Sequence, residues 1–131
     1  NKNMLFRIIM KILAFFILLI STSSFAGEYE TNFNIEKFKF AQNNGKIVVI
    51  HSWNKSCSTC AKQKPILEKA KKDFENVIFM NFEQTKNKDI AELLNIDYWT
   101  TIVVYKDNKE LAREIGLYNE RDIYNLIKKG I

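Results

Sequence analysis

Four consecutive β-branched residues, Ile47-Val48-Val49-Ile50, limit this chain more than any other stretch, and the run continues as far as Trp53. A strand that is apolar on both faces must be covered on both, which buries it in a sheet, most often a parallel one. Val77 to Phe82 reads as a second central strand and Ile102-Val103-Val104-Tyr105 as a third. Helical patterns separate them. Asn34 is placed to cap a helix carrying Ile35, Phe38 and Ala41 and ending near Asn43-Asn44-Gly45. From Cys57 to Phe74, Ala61, Leu67, Ala70 and Phe74 recur at helical spacing, and Pro65 withdraws a backbone donor from the middle, predicting a kink. Asn87 is expected to cap a short helix carrying Ile90, Leu93 and Leu94. Asp107-Asn108-Lys109 then turns the third strand back into Leu111 to Ile115. Asn119 starts a last helix with Ile123, Leu126 and Ile127 inward, closed by Gly130. The order α-β-α-β-α-β-β-α predicts an α/β domain. Its central mixed sheet is flanked by helices, with the last hairpin as an antiparallel edge. Trp53 is expected in the core, with Phe38, Phe40, Phe74, Phe79 and Phe82.

The first 26 residues read differently. Lys2, Arg7 and Lys11 form a positive leader, Ile12 to Ile20 is an unbroken apolar run, and Ser24-Phe25-Ala26 has a small residue at each end. This is the layout of a secretory signal, with cleavage expected after Ala26 to leave residues 27–131 as the domain. A retained membrane anchor is the alternative, but the clean run is shorter than the ~20 residues that a ~30 Å hydrocarbon core demands. Membrane contact is therefore expected only through the signal before cleavage, and the location is expected to be periplasmic or otherwise exported.

The chain of 131 residues carries 20 Lys and Arg against 15 Asp and Glu. All three charges of the leader are positive, so the expected domain is close to balanced, with no basic run beyond Lys71-Lys72 or Lys128-Lys129. A nucleic-acid partner, which needs basic residues clustered on one face, is not expected. Two cysteines are too few for a disulfide-stapled scaffold, and a single histidine leaves little for an all-protein zinc site.

The chemistry concentrates in Cys57-Ser58-Thr59-Cys60, between the first buried strand and an amphipathic helix. If Cys57 sits at the helix N-terminus, unpaired backbone N–H groups and the helix dipole stabilise its thiolate. Cys60 falls one turn deeper and less exposed. That asymmetry makes Cys57 the attacking nucleophile and Cys60 the resolving thiol.

At these residues the chain resembles the thioredoxin superfamily, over roughly residues 35–130. Trp53 lies four residues before the first cysteine, Pro65 lies five after the second, and Thr101 to Lys106 matches the strand after the active-site loop. Gly116 matches the glycine that borders the docking groove. The resemblance implies a thioredoxin-like fold with Cys57 and Cys60 in the catalytic positions. It also places His51 where the family has a buried carboxylate beneath the resolving cysteine. With an ordinary pKa near neutrality, His51 would take the proton of Cys60 during transfer; the alternative is a core histidine bonded to backbone. Trp99, beside the site, is expected to contact substrate in the groove. Three departures from the family pattern stand out. Ser56 replaces the common tryptophan, and Ser58-Thr59 replaces Gly-Pro. Thr100 stands where the family has a cis-proline facing the disulfide, and since a non-proline cis bond costs about 3–4 kcal/mol, Trp99–Thr100 is expected trans.

The reading that follows is an exported thiol-disulfide oxidoreductase that reduces or exchanges protein disulfides. It needs no cofactor beyond the Cys57/Cys60 pair. Its partners would be cysteine-containing exported proteins and a thiol electron donor, and a monomer is expected. Two other classes stay open: a metal or iron–sulfur protein using the same two thiolates, and a non-catalytic interaction module with a structural disulfide.

Overall fold

The computed structural model describes residues 1–17 and 29–131. The expected cleavage site and the end of the apolar run lie outside the described residues. Before them, α1 (Lys2–Ile17) is helical, and Met4, Leu5, Phe6 and Ile9 on it are exposed. Among the described residues, no helix is long and apolar enough to cross a membrane.

The rest alternates as the sequence predicts: α2 (Ile35–Asn43), β1 (Ile47–Trp53), α3 (Ser58–Asp73), β2 (Val77–Glu83), α4 (Lys88–Leu93), β3 (Thr101–Lys106), β4 (Lys109–Ile115) and α5 (Glu120–Lys128). Asn34 and Asn119 cap α2 and α5, their side chains accepting from the amides of Lys37 and Asp122. Asn87 holds the cap position of α4 but makes no cap bond. Its amide donates instead to Thr31 and to the carbonyl of Glu83. Pro65 lies inside α3. Asp107 and Asn108 both have positive φ, 53° and 60°, which a tight two-residue hairpin requires and short polar side chains tolerate.

The sheet runs β2-β1-β3-β4. β1 is parallel to β2, from Ile47 opposite Val77 to Trp53 opposite Glu83, and antiparallel to β3, from Val48 opposite Tyr105 to His51 opposite Ile102. Antiparallel pairing thus begins at β1/β3, not only at the final hairpin. A continuous apolar run shows that both faces of a strand are covered; it carries no information on the direction of the neighbours.

Alternation along β1 divides the core. Ile47 and Val49 face α3 and α5 with Leu67, Ala70, Ile123, Leu126 and Ile127. Val48 and Ile50 face the other side, with Ala41, Phe82, Ala91 and Leu94. The same period of two sends His51 and Trp53 to the α3 side. One expected core residue is not there: Phe40 is 71% exposed because it lies about 200° round α2 from Phe38. On the six-residue α4, Leu93 is exposed as well, about 100° round from buried Leu94.

Among the described residues, the sheet has no further strand beyond β2. Residues 29–33 lie there: the amides of Asn32 and Phe33 donate to the carbonyl of Asn81 at 3.1 and 3.0 Å. In return, the amides of Asn81 and Glu83 donate to the side chains of Asn32 and Thr31. An edge that would otherwise offer free donors is closed by side chains.

Candidate active site

The loop after β1 is shaped by Asn54. Its side-chain oxygen accepts from the Ser56 amide at 2.8 Å, its carbonyl accepts from the Cys57 amide at 3.2 Å, and its side-chain amide donates to Glu83. Burial pushes the Glu83 carboxyl up, but bonds from Thr85, the Lys86 amide and Asn54 outweigh it and hold it below the usual carboxylate range. Cys57 follows as the N-cap of α3, with extended backbone (φ −94°, ψ 107°). Cys57 and Cys60 are joined in a disulfide. The sulfur of Cys57 accepts the Cys60 amide at 3.1 Å, one of the donors that the first turn of a helix leaves unpaired. Cys57 is half-buried, whereas Cys60 is 4% exposed. Access and anion stabilisation therefore coincide on one sulfur.

A shallow cleft of about 140 Å³ opens at the disulfide, bordered by Tyr29, Trp53, Lys55, Ala61 and Lys64. Trp53 is core, its indole N–H donating to Asn81 at 2.7 Å and its ring 4.9 Å from that of Tyr29. Lys64 lies over the Tyr29 ring at 5.0 Å, and Lys62 over that of Tyr118 at 5.8 Å.

On the other side stand the residues expected to bind substrate. Trp99 and Tyr98 are exposed, together with Ile115. The Trp99–Thr100 bond is trans, since no cis bond occurs among the described residues. Thr100 has φ +64°. A left-handed β-branched residue costs roughly 1–3 kcal/mol and persists only where its surroundings over-determine it. Here the Thr100 amide donates to Ser52 at 2.9 Å, and its carbonyl accepts from the Gly116 amide at 3.2 Å and from Gln63 at 3.0 Å. Gly116 has φ +79°, a conformation that suits glycine.

His51 is 1% exposed. Its Nε2 lies 2.9 Å from Oε1 of Gln63 and its Nδ1 3.0 Å from the Tyr29 hydroxyl. No hydrogen bond joins it to either sulfur among the described residues. Its partners are side chains, where a core histidine was expected to bond to backbone. Burial lowers its pKa to about 4, against a smaller upward effect of Gln63, so the imidazole is neutral at neutral pH. Burial and the nearby Glu68 keep the Tyr29 phenol protonated.

Gln63 and Tyr29 were missed in the sequence. Gln63 had a signal: with Cys60, Leu67 and Ala70 it forms the buried stripe of α3, and a buried amide in an apolar stripe must find partners. Tyr29 sits in a short polar-aromatic segment that carries no such mark. Among the described residues, no group of three or more His, Cys, Asp or Glu side chains is placed to hold a metal ion.

A cysteine pair opening a helix, one sulfur accessible and one buried, on a mixed sheet flanked by helices, defines a protein built for thiol-disulfide exchange. The thioredoxin family model matches residues 29–129. Thioredoxin from Coprinus comatus is 29% identical over 100 residues, covering 75% of this chain and 93% of the relative. Thioredoxin from Mycoplasma genitalium is 31% identical over 81 residues, covering 62% and 79%. Among solved structures, Fasciola hepatica thioredoxin superposes with a TM-score of 0.67 at 25% identity, covering 74% of this chain and 91% of that one. The chain belongs to the thioredoxin family and is a thiol-disulfide oxidoreductase.

Proposed function

We propose that this protein is an exported reductant of protein disulfides. Partly exposed Cys57 at the start of α3, with buried Cys60 one turn behind it, carries the reading. In the reduced enzyme, the Cys57 thiolate attacks one sulfur of a client disulfide, forming a mixed disulfide and releasing the other client sulfur as a thiolate. Cys60, losing its proton, then attacks Cys57, and the client leaves as a dithiol. Two electrons pass from enzyme to client, leaving the Cys57–Cys60 disulfide seen in the structure. An external thiol donor restores the dithiol.

Trp99, Thr100 and Gly116 line the docking side in this reading. The main chain of Trp99 is unpaired among the described residues, so its N–H and C=O are available to an extended client. His51 serves as proton acceptor for Cys60 on one condition: the Tyr29 hydroxyl must first leave Nδ1. Export rests on the positive leader, the apolar run and Ser24-Phe25-Ala26. The clients are then exported proteins with cysteines, and the enzyme acts as a monomer.

The test is trapping with Cys60→Ala in an extract of the exported compartment. Disulfide-linked adducts that vanish on reduction and are absent with Cys57→Ser support the reading. No adducts, together with a Cys57 slow toward a small disulfide, overturn it. Export is tested separately by sequencing the N-terminus of the secreted protein, expected at Gly27.

A further inference from the structure

We infer that Gln63 is the positioning residue of this site, tying the cysteine-bearing helix to the opposite wall of the groove and fixing the tautomer of His51. The inference rests on the proposed reduction of protein disulfides for its kinetic part only.

Gln63 is wholly buried, three residues after Cys60 on the same face of α3. Its side-chain amide donates to the carbonyls of Thr100 at 3.0 Å and Leu117 at 2.8 Å. Backbone carbonyls only accept, so the nitrogen of Gln63 has to face them, and Oε1 has to face His51. Oε1 also only accepts. His51 therefore carries its proton on Nε2, and its Nδ1 lone pair receives the Tyr29 hydroxyl. Every polar atom of the group is satisfied in one arrangement, and the reverse amide orientation would set Oε1 against two carbonyl oxygens, acceptor to acceptor.

The position of Thr100 gives this arrangement its consequence. Its left-handed backbone is held by Ser52, by Gly116 and by Gln63. The first two belong to the sheet and the adjoining loop. Gln63 comes from the helix that carries the reacting sulfurs, and it holds two segments of the far wall at once. It thus sets the separation between the Cys57–Cys60 pair and the Trp99–Thr100 backbone. A small disulfide needs only the sulfur of Cys57. A protein client that also lies along the wall needs that separation as well.

Gln63→Met keeps the length and apolar stem and removes all three hydrogen bonds. With dithiothreitol as reductant, the variant is expected to lose about tenfold or more in kcat/KM toward insulin, chiefly through a higher KM. Its pre-reduced form is expected to react with dithiobis(nitrobenzoate) within about twofold of wild type. Equal losses toward both disulfides, or unchanged insulin kinetics in a folded variant, overturn the inference. A second measurement needs no variant. Long-range proton–nitrogen correlation spectra of the wild-type protein at neutral pH should show His51 as the Nε2–H tautomer, and an Nδ1–H tautomer overturns the inference whether or not Gln63→Met folds. If wild type reduces no protein disulfide, the functional proposal falls, and the tautomer alone still decides the place of Gln63.

Discussion

Acidifying the oxidised protein from about pH 7.5 to about pH 4.5 should remove about 2.5 kcal/mol of stability through one imidazole. His51 is the only histidine of the chain, and burial lowers its pKa to about 4 in the folded state. In the unfolded chain it returns to about 6.5. Between those two values the unfolded state binds a proton that the folded state refuses. The contribution of His51 is therefore complete above about pH 6.5 and is lost as the pH falls toward 4. The slope in the window is one proton's worth, about 1.4 kcal/mol per pH unit. The groups facing the ring do not compete: Tyr29 stays protonated throughout, and Gln63 does not titrate. Glu83, which is held below the usual carboxylate range, adds its own loss on acidification, common to wild type and a His51 variant. Against a typical stability of about 5–15 kcal/mol the loss is large. It should lower the urea midpoint by about 1–2 M at constant m. The assay is urea unfolding at half-unit pH steps, on wild type and on His51→Gln. Wild type should decline across the window more steeply than His51→Gln, which is less stable at neutral pH and keeps only the shallower loss from the carboxylates. Parallel slopes in the two proteins, or a His51 titration near 6.5 by NMR, would refute the reasoning.

Tyr29→Phe should cost about 1–3 kcal/mol in urea unfolding, because the buried Nδ1 lone pair of His51 loses its donor while the ring packing on Trp53 is kept. Asn119→Ala removes the side-chain acceptor of the Asp122 amide and should lower stability by about 1 kcal/mol, read as a melting point about 5 °C lower. Phe82→Ala empties a fully buried position and should cost about 3–5 kcal/mol, whereas Phe40→Ala should stay within about 0.5 kcal/mol. A loss above about 1 kcal/mol for Phe40→Ala would show that its face of α2 is covered.

The order of strands and helices was legible because each is decided by a short window: the β-branched runs, the asparagines before the amphipathic stretches, the Asp107-Asn108 turn. Local chemistry also reached the active site as far as its cysteines, since a helix start next to a buried strand is a local property. What lay beyond depended on distant partners. Asn87 resembles Asn34 and Asn119 in its surroundings, yet Thr31 and Glu83 claim its side chain. The pairing direction of β1 with β3 is set by how the chain returns after α4, which no run of valines records. Gln63 was conspicuous as a polar member of an apolar stripe, but Thr100 and Leu117 lie 37 and 54 residues away from it. Its role could be read only after the chain had closed.

The segment along β2 sets the shortest chain that can make this site. Secondary structure alone would allow the domain to start at Asn34, just ahead of α2. A chain begun there would keep the four strands, the four helices α2 to α5 and both cysteines. It would leave the backbone of Asn81 and Glu83 facing water, and the Nδ1 of His51 without its hydroxyl. Only two residues separate Tyr29 from the expected cut after Ala26. Any trimming enzyme that overruns by three positions removes a hydrogen-bond donor from the interior of the protein, although residues 29–33, where the overrun ends, are neither helix nor strand.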